Sequence, residues 1–273
     1  TYGRWPVIAG IQYNAKLQRM VRAIKRDIDA QLVPLVRSLA PEYVTDSATP
    51  TNDGWGDIIA QAIRSLLAKW TDPRAQAAAR SIAGDFVQAV DGRAKRTLGI
   101  DVYTGNQALN DYLQAATLQN AQLIESIPTQ YLAQVSNIVM GNMRAGLRPS
   151  AIVGTLQEQF GVTQRRAKMI ARDQTAKVNG EIASKRQQAA GYSYFRWVTS
   201  KDERVRDRHQ KIAEKVTAYG PGIYRWDNPP LSDKGDPIIP GGDYSCRCIS
   251  QAVSDEEVAK YRREGKTVKG VYR

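Results

Sequence analysis

The stretch GYSYFRWVTSKDERVRDRH, residues 191–209, separates two kinds of sequence. Residues 192–199 are aromatic and β-branched, the composition of a strand. Upstream of Gly191 the apolar residues recur at helical spacing almost without interruption. Downstream, Gly, Pro and Asp crowd residues 220–243, and residues 249–253 read as a second strand. The expected fold is mainly α, with an elongated helical N-terminal region and a small α+β module at the C-terminal end.

Working back from Gly191, the spacing predicts a long helix through Ala167, Ile170, Ala171, Val178 and Ile182, with Thr163 as its N-cap. A short helix over 149–160 is expected before it, with Gly161 in a left-handed cap. Pro128 should open a helix that Gly146 ends, after an earlier helix over 106–127. Ile58, Ile59, Ala62, Ile63, Leu66, Leu67 and Trp70 form another stripe, and Pro73 suits the first turn of the helix that follows. That helix is expected to fray near Gly99. Residues 13–39 carry an apolar stripe from Leu17 to Leu32 that Pro34 should kink or restart. Residues 41–56 read as a polar connector. Beyond the second strand, Ser254 and Glu257 make a capping box for a short helix ended by Gly265. Gly-Pro-Gly at 220–222 reads as a turn, and no phosphate-binding loop motif occurs. The basic tail, 266–273, is expected to be mobile unless a partner holds it.

The rare chemistry is gathered downstream of the strand. His209 is the only histidine, and Cys246 and Cys248 are the only cysteines. Together they offer three ligands suited to zinc, with Asp202, Asp207 or Asp243 as the fourth. Zinc is thus the candidate cofactor, although the single residue between the cysteines is not the usual two-residue gap. The alternative has the cysteines half-buried in a strand and His209 hydrogen-bonded to a carbonyl. A disulfide across one residue would be strained, so a reducing compartment is expected. A Cys–His dyad lacks the rest of a nucleophile site. Asp202 and Glu203 sit among Lys201, Arg204, Arg206 and Arg208, which would lower their pKa values, the wrong direction for an acid at neutral pH. Asp202 is expected to cap a turn, with the arginines forming a salt-bridge lattice or meeting a partner.

The formal net charge is +12, with 39 Lys and Arg against 27 Asp and Glu. Such a balance favours polyanions or acidic protein surfaces as neighbours. Arg165, Arg166, Lys168 and Arg172 belong to a basic helical run that could neutralise phosphates without reading sequence, with a solvated face as the alternative. No apolar run has transmembrane length, and residues 1–12 carry no signal-peptide core.

The order of motifs resembles the phage Mu F-like minor head proteins, also called phage head morphogenesis proteins. It runs Ala171-Arg172-Asp173-Gln174-Thr175 with Asn179, then Trp197, Asp202, Arg204, Arg206 and His209, then Trp226-x-x-Pro229-Pro230, then Pro240-Gly241 and Cys246-Arg247-Cys248. One departure is Gln174, where the family often has Glu. The resemblance implies a head morphogenesis domain over 106–255, helical to 190 and loop-rich α+β from 191. It leaves 1–105 as a helical region outside the family pattern, particular to this virus, and 256–273 as a short helix and tail. It implies a structural, non-enzymatic minor capsid protein of a tailed bacteriophage, in the virion interior near the portal vertex and in host cytoplasm during assembly. Its partners would be the portal protein, the major capsid or scaffolding protein, and packaged DNA, with no membrane contact in the head. It would act in head assembly, and in DNA packaging or ejection. Arg172, Thr175, Asp202, Arg204, Arg206, Trp226 and Pro230 would be its structural motif residues. A non-specific DNA-binding protein, or a metal-dependent enzyme using His209, Cys246 and Cys248, is the alternative. The chain ends soon after Cys248, so an added catalytic domain is not expected.

Overall fold

The computed structural model describes residues 6–39, 55–98 and 107–268. The connector expected at 41–56 lies outside them except for its last two residues, as do the fraying near Gly99 and the end of the basic tail. The elements in chain order are α1 (Val7–Gln31), α2 (Val33–Leu39), α3 (Trp55–Thr71), α4 (Pro73–Leu98), α5 (Gln107–Arg144), α6 (Pro149–Ala189), β1 (Tyr194–Val198), α7 (Asp207–Glu214), β2 (Val216–Thr217), β3 (Gly220–Pro221), β4 (Ile223–Arg225), β5 (Ile249–Val253) and α8 (Asp255–Arg263). The fold is mainly α with a small α+β module, as the sequence predicts.

Two helices are longer than expected. Pro128 does not start a helix but lies inside α5. A proline there removes one backbone hydrogen bond. The hydroxyls of Ser126 and Thr129 bond the carbonyls of Leu123 (2.7 Å) and Glu125 (3.1 Å) on either side of the gap. Ile124, Ile127, Tyr131 and Leu132 are buried on both sides of the proline and hold the helix through it. Gly161 likewise lies inside α6 and is not in the left-handed region. Thr163 bonds back to the Gln159 carbonyl (3.0 Å) instead of capping a new helix. A glycine costs a helix interior about 1 kcal/mol, too little to break one whose apolar face is buried on both sides. Gly146 does end α5: its φ is +67°, and Leu147 N–H bonds the Asn142 carbonyl as a left-handed cap requires.

The chain divides into two compact units, 1–11 with 85–117 and 172–273, and 12–84 with 118–171. These units are built from interleaved stretches of the chain. The second unit is helical, around Ile24, Ile28, Leu32, Ile59, Ile63, Leu66, Leu132, Val135, Val139 and Ile152. Its buried polar ties include Tyr13 O–H to Asn120 (3.1 Å) and the Trp70 indole to Asp27 (2.9 Å).

The first unit holds the sheet, in the antiparallel order β4-β1-β5. Phe195 stands opposite Tyr224, and Trp197 opposite Ser250. Alternation along β1 sends Phe195 and Trp197 to one face, where they meet Ile212, Tyr224, Cys246 and Cys248. Arg196 reaches from the opposite face to Glu257 (2.8 Å) and Tyr261 (2.9 Å) of α8. Ser254 Oγ caps α8 by accepting from Glu257 N–H (3.2 Å), as the capping box predicts, while the Glu257 carboxylate is given to Arg196. Gly-Pro-Gly is more than a turn, since Gly220 and Pro221 pair with β2.

Within this unit α6 is tied to its surroundings by polar and backbone contacts. Buried Arg186 donates twice to Asp91 of α4 (2.6 and 2.9 Å), and Gln187 donates to Ser250 of β5. Gly180 and Gly241 pack backbone to backbone. A Cβ on Gly180 would overlap the Pro240 carbonyl, and one on Gly241 would lie 2.5 Å from the Ala176 oxygen.

Candidate metal centre

His209 is the third residue of α7, and Ile212, one turn on, shares its buried face. The Tyr224 hydroxyl donates to the Ile212 carbonyl (2.8 Å) and fixes the helix to the sheet. The imidazole is 2% exposed and lies edge-on to the Trp197 ring, 5.3 Å between centroids.

The cysteines arrive from the other side, on extended chain entering β5. Side chains alternate there, so Cys246 and Cys248 face inward and Arg247 faces away. This explains the one-residue gap: two inward positions on an extended segment are two apart. Both thiols are free, at 2% and 3% exposure. Each sulfur is 3.6 Å from the same atom, His209 Nδ1. The three donor atoms lie within 4.8 Å of one another, and among the described residues no further His, Cys, Asp or Glu joins the group.

A tight turn precedes Cys246. Cys246 N–H bonds the Asp243 carbonyl (3.1 Å), and Ser245 adopts φ +49°. Ser245 N–H is held by Asp173 of α6 (2.9 Å). The turn carries Asp243 to the far side of the imidazole, with its Oδ2 3.2 Å from Nε2. A carboxylate there accepts from Nε2–H, and Nδ1 faces both sulfurs. Burial raises the Asp243 pKa, but the Tyr244 N–H and the charges of Arg206, Arg208 and His209 outweigh it and hold the carboxyl below its usual range. Arg208 bonds Asp243 and Asp233, and Arg206 reaches Asp243 (3.3 Å) and the Tyr244 carbonyl (2.7 Å). Between the thiols, the hydrogen bond with Cys248 pulls Cys246 down to about 4, with burial opposing and His209 assisting; the Cys248 thiol is pushed up by the same pairing.

Asp202, expected as the fourth ligand, lies elsewhere. Its two oxygens take the fork of Arg247, and it caps the turn at Arg204 N–H (3.0 Å). Arg247, its strongest partner, holds the carboxyl below its usual pKa. Asp243 is near the cluster, but on Nε2 rather than at the sulfurs.

The other singled-out residues divide. Trp226 stacks on Phe195 at 4.1 Å, and the Pro230 carbonyl accepts from Ile238 N–H (2.8 Å). Thr175 is buried against Gly10, while Arg172 and Arg204 are exposed. Arg165 and Lys168 are exposed on α6, but Arg166 turns inward to Ser126 Oγ (2.9 Å), and burial lowers its pKa. The basic run is therefore not one surface. Sequence reading missed the roles of Asp173 and Gly180, and offered Asp243 only as one of three candidates for a fourth ligand. The one signal for Gly180 is a glycine in the middle of a long helix.

Two buried thiols and an imidazole meet between a short sheet and a helix, in a segment poor in aliphatic residues. Residues 133–251 match the family model described as Phage Mu protein F like protein, so the resemblance carried by the motifs holds for this segment. An uncharacterized protein of Haemophilus influenzae is 31% identical over 261 residues, covering 91% of this chain and 54% of the relative. The chain thus spans about half the length of that curated relative. The similarity takes in most of the N-terminal region, which corrects the expectation that the first hundred residues are particular to this virus. No solved structure matches.

Proposed function

We propose that this chain is a structural component of a tailed-phage head, acting in head morphogenesis without turning over a substrate. The observation that carries this is the Mu F-like match over 133–251, which takes in the end of α5, all of α6 and the module into β5. The module's chemistry supports a structural role. His209, Cys246 and Cys248 are sealed in the apolar cluster of Trp197, Phe195 and Ile212, where a substrate has no approach. The imidazole has one nitrogen on a carboxylate and the other on two sulfurs, with none left to move a proton to a reactant.

The finer reading is a minor capsid protein in the head interior. It docks on the portal or on the shell and scaffold, touches packaged DNA through exposed Arg165, Lys168 and Arg172, and acts in packaging or ejection. A net charge of +12 suits an interior crowded with DNA and acidic surfaces. Among the described residues no helix is long and apolar enough to cross a membrane.

The test is to tag the chain in the phage that encodes it, purify full particles through a density gradient, and probe for the tag alongside portal protein. The expected outcome is a few copies per particle and co-purification with portal from lysates lacking assembled shells. Full particles without the chain would reject the proposal.

A further inference from the structure

We propose that His209 Nδ1, Cys246 Sγ and Cys248 Sγ are three donors of a structural zinc site, with Asp243 orienting the imidazole from Nε2. The first support is distance. Zinc bonds of about 2.0 Å to nitrogen and about 2.3 Å to sulfur, set at a tetrahedral angle, place nitrogen and sulfur roughly 3.5–3.6 Å apart. Both sulfurs lie 3.6 Å from Nδ1.

The second support is valence. Nδ1 has one lone pair, and two thiol hydrogens cannot both point along it. With hydrogen bonds alone the second S–H can turn only to the other sulfur, a weak acceptor, whereas a cation between the three atoms engages all of them. The third support is the surroundings. Cys248 N–H points at Cys246 Sγ (3.4 Å). The Trp197 indole N–H, on a ring that packs with both cysteines, is buried without a hydrogen-bond partner. A backbone donor aimed at sulfur suits anionic, metal-bound sulfur better than a neutral thiol. The carboxylate on the distal imidazole nitrogen is the usual second partner of a zinc-bound histidine.

Zinc here would join α7 to the entry of β5 across a span of 37 residues, a cross-link where the chain has few aliphatic side chains.

The full chain, expressed in zinc-supplemented medium and desalted, should hold one zinc per molecule by plasma mass spectrometry. Refolded with cobalt(II) instead, it should show the near-ultraviolet band of sulfur-to-cobalt charge transfer and intense tetrahedral visible bands. Cys248→Ser and His209→Asn should lose the metal and the bands. Asp202→Asn should keep both. Asp243→Asn should keep the metal with affinity lowered about 10- to 100-fold. Should Cys248→Ser not fold, titrating the wild type with a chromogenic chelator reads the same site, the ion leaving in step with exposure of two thiols to an aromatic disulfide reagent. A folded wild type that takes up neither metal, or a Cys248→Ser chain that keeps a full equivalent, would overturn the proposal.

Discussion

At the scale of single residues, the contacts that decide the module are not its most unusual side chains. Gly180 and Gly241 let α6 and the Pro240 loop approach closer than any Cβ permits. Gly180→Ala is expected to cost about 1–3 kcal/mol of overpacking in chemical denaturation. A variant as stable as the wild type would mean that the loop moves freely off the helix. Glu181, the next residue, behaves differently. Burial raises its pKa, with Lys185 only partly opposing. A raised carboxyl pKa means that the fold prefers the neutral form, so its contribution to stability is present below the unfolded value and lost as pH rises through the folded one. Glu181→Gln should therefore stabilise the chain at pH 7 and change nothing well below the unfolded carboxyl range, as melting curves at both pH values would reveal. The rare side chains were legible from composition, because one histidine and two cysteines cannot hide. Which carboxylate meets them was not, because Asp202 and Asp243 look alike until the turn at Ser245 is folded.

At the scale of elements, β1, β5 and α8 were legible because alternation, β-branched composition and a capping serine all agree there. The long helices were not, because Pro128 and Gly161 carry local signals that buried apolar faces override. Gly161 supplies a test whose sign decides. In a left-handed cap, Gly161→Ala would destabilise. Inside α6, where an added Cβ meets only the Arg165 guanidinium at 3.5 Å, it should stabilise by about 0.5–1 kcal/mol, measured as a higher melting temperature.

At the scale of the whole molecule, net charge was legible and its distribution was not. Nothing in the spacing reveals that Arg166 turns to Ser126 while Arg165 and Lys168 stay exposed. Nor could it show that two units are woven from separated stretches, since the Asp91–Arg186 pair joins residues 95 apart. Binding to duplex DNA should weaken steeply with salt and be indifferent to sequence. Arg165→Glu with Lys168→Glu should lower the logarithmic salt slope by about 2 in fluorescence titrations, and Arg166→Gln should barely alter it. An unchanged slope in the double variant would remove α6 from the DNA-contacting surface. The sealed sulfurs also have a practical consequence. With both native cysteines out of reach, Val162→Cys, at a position 46% exposed, should accept one maleimide dye while the parent chain takes none, which opens a route to following this protein by single-site fluorescence.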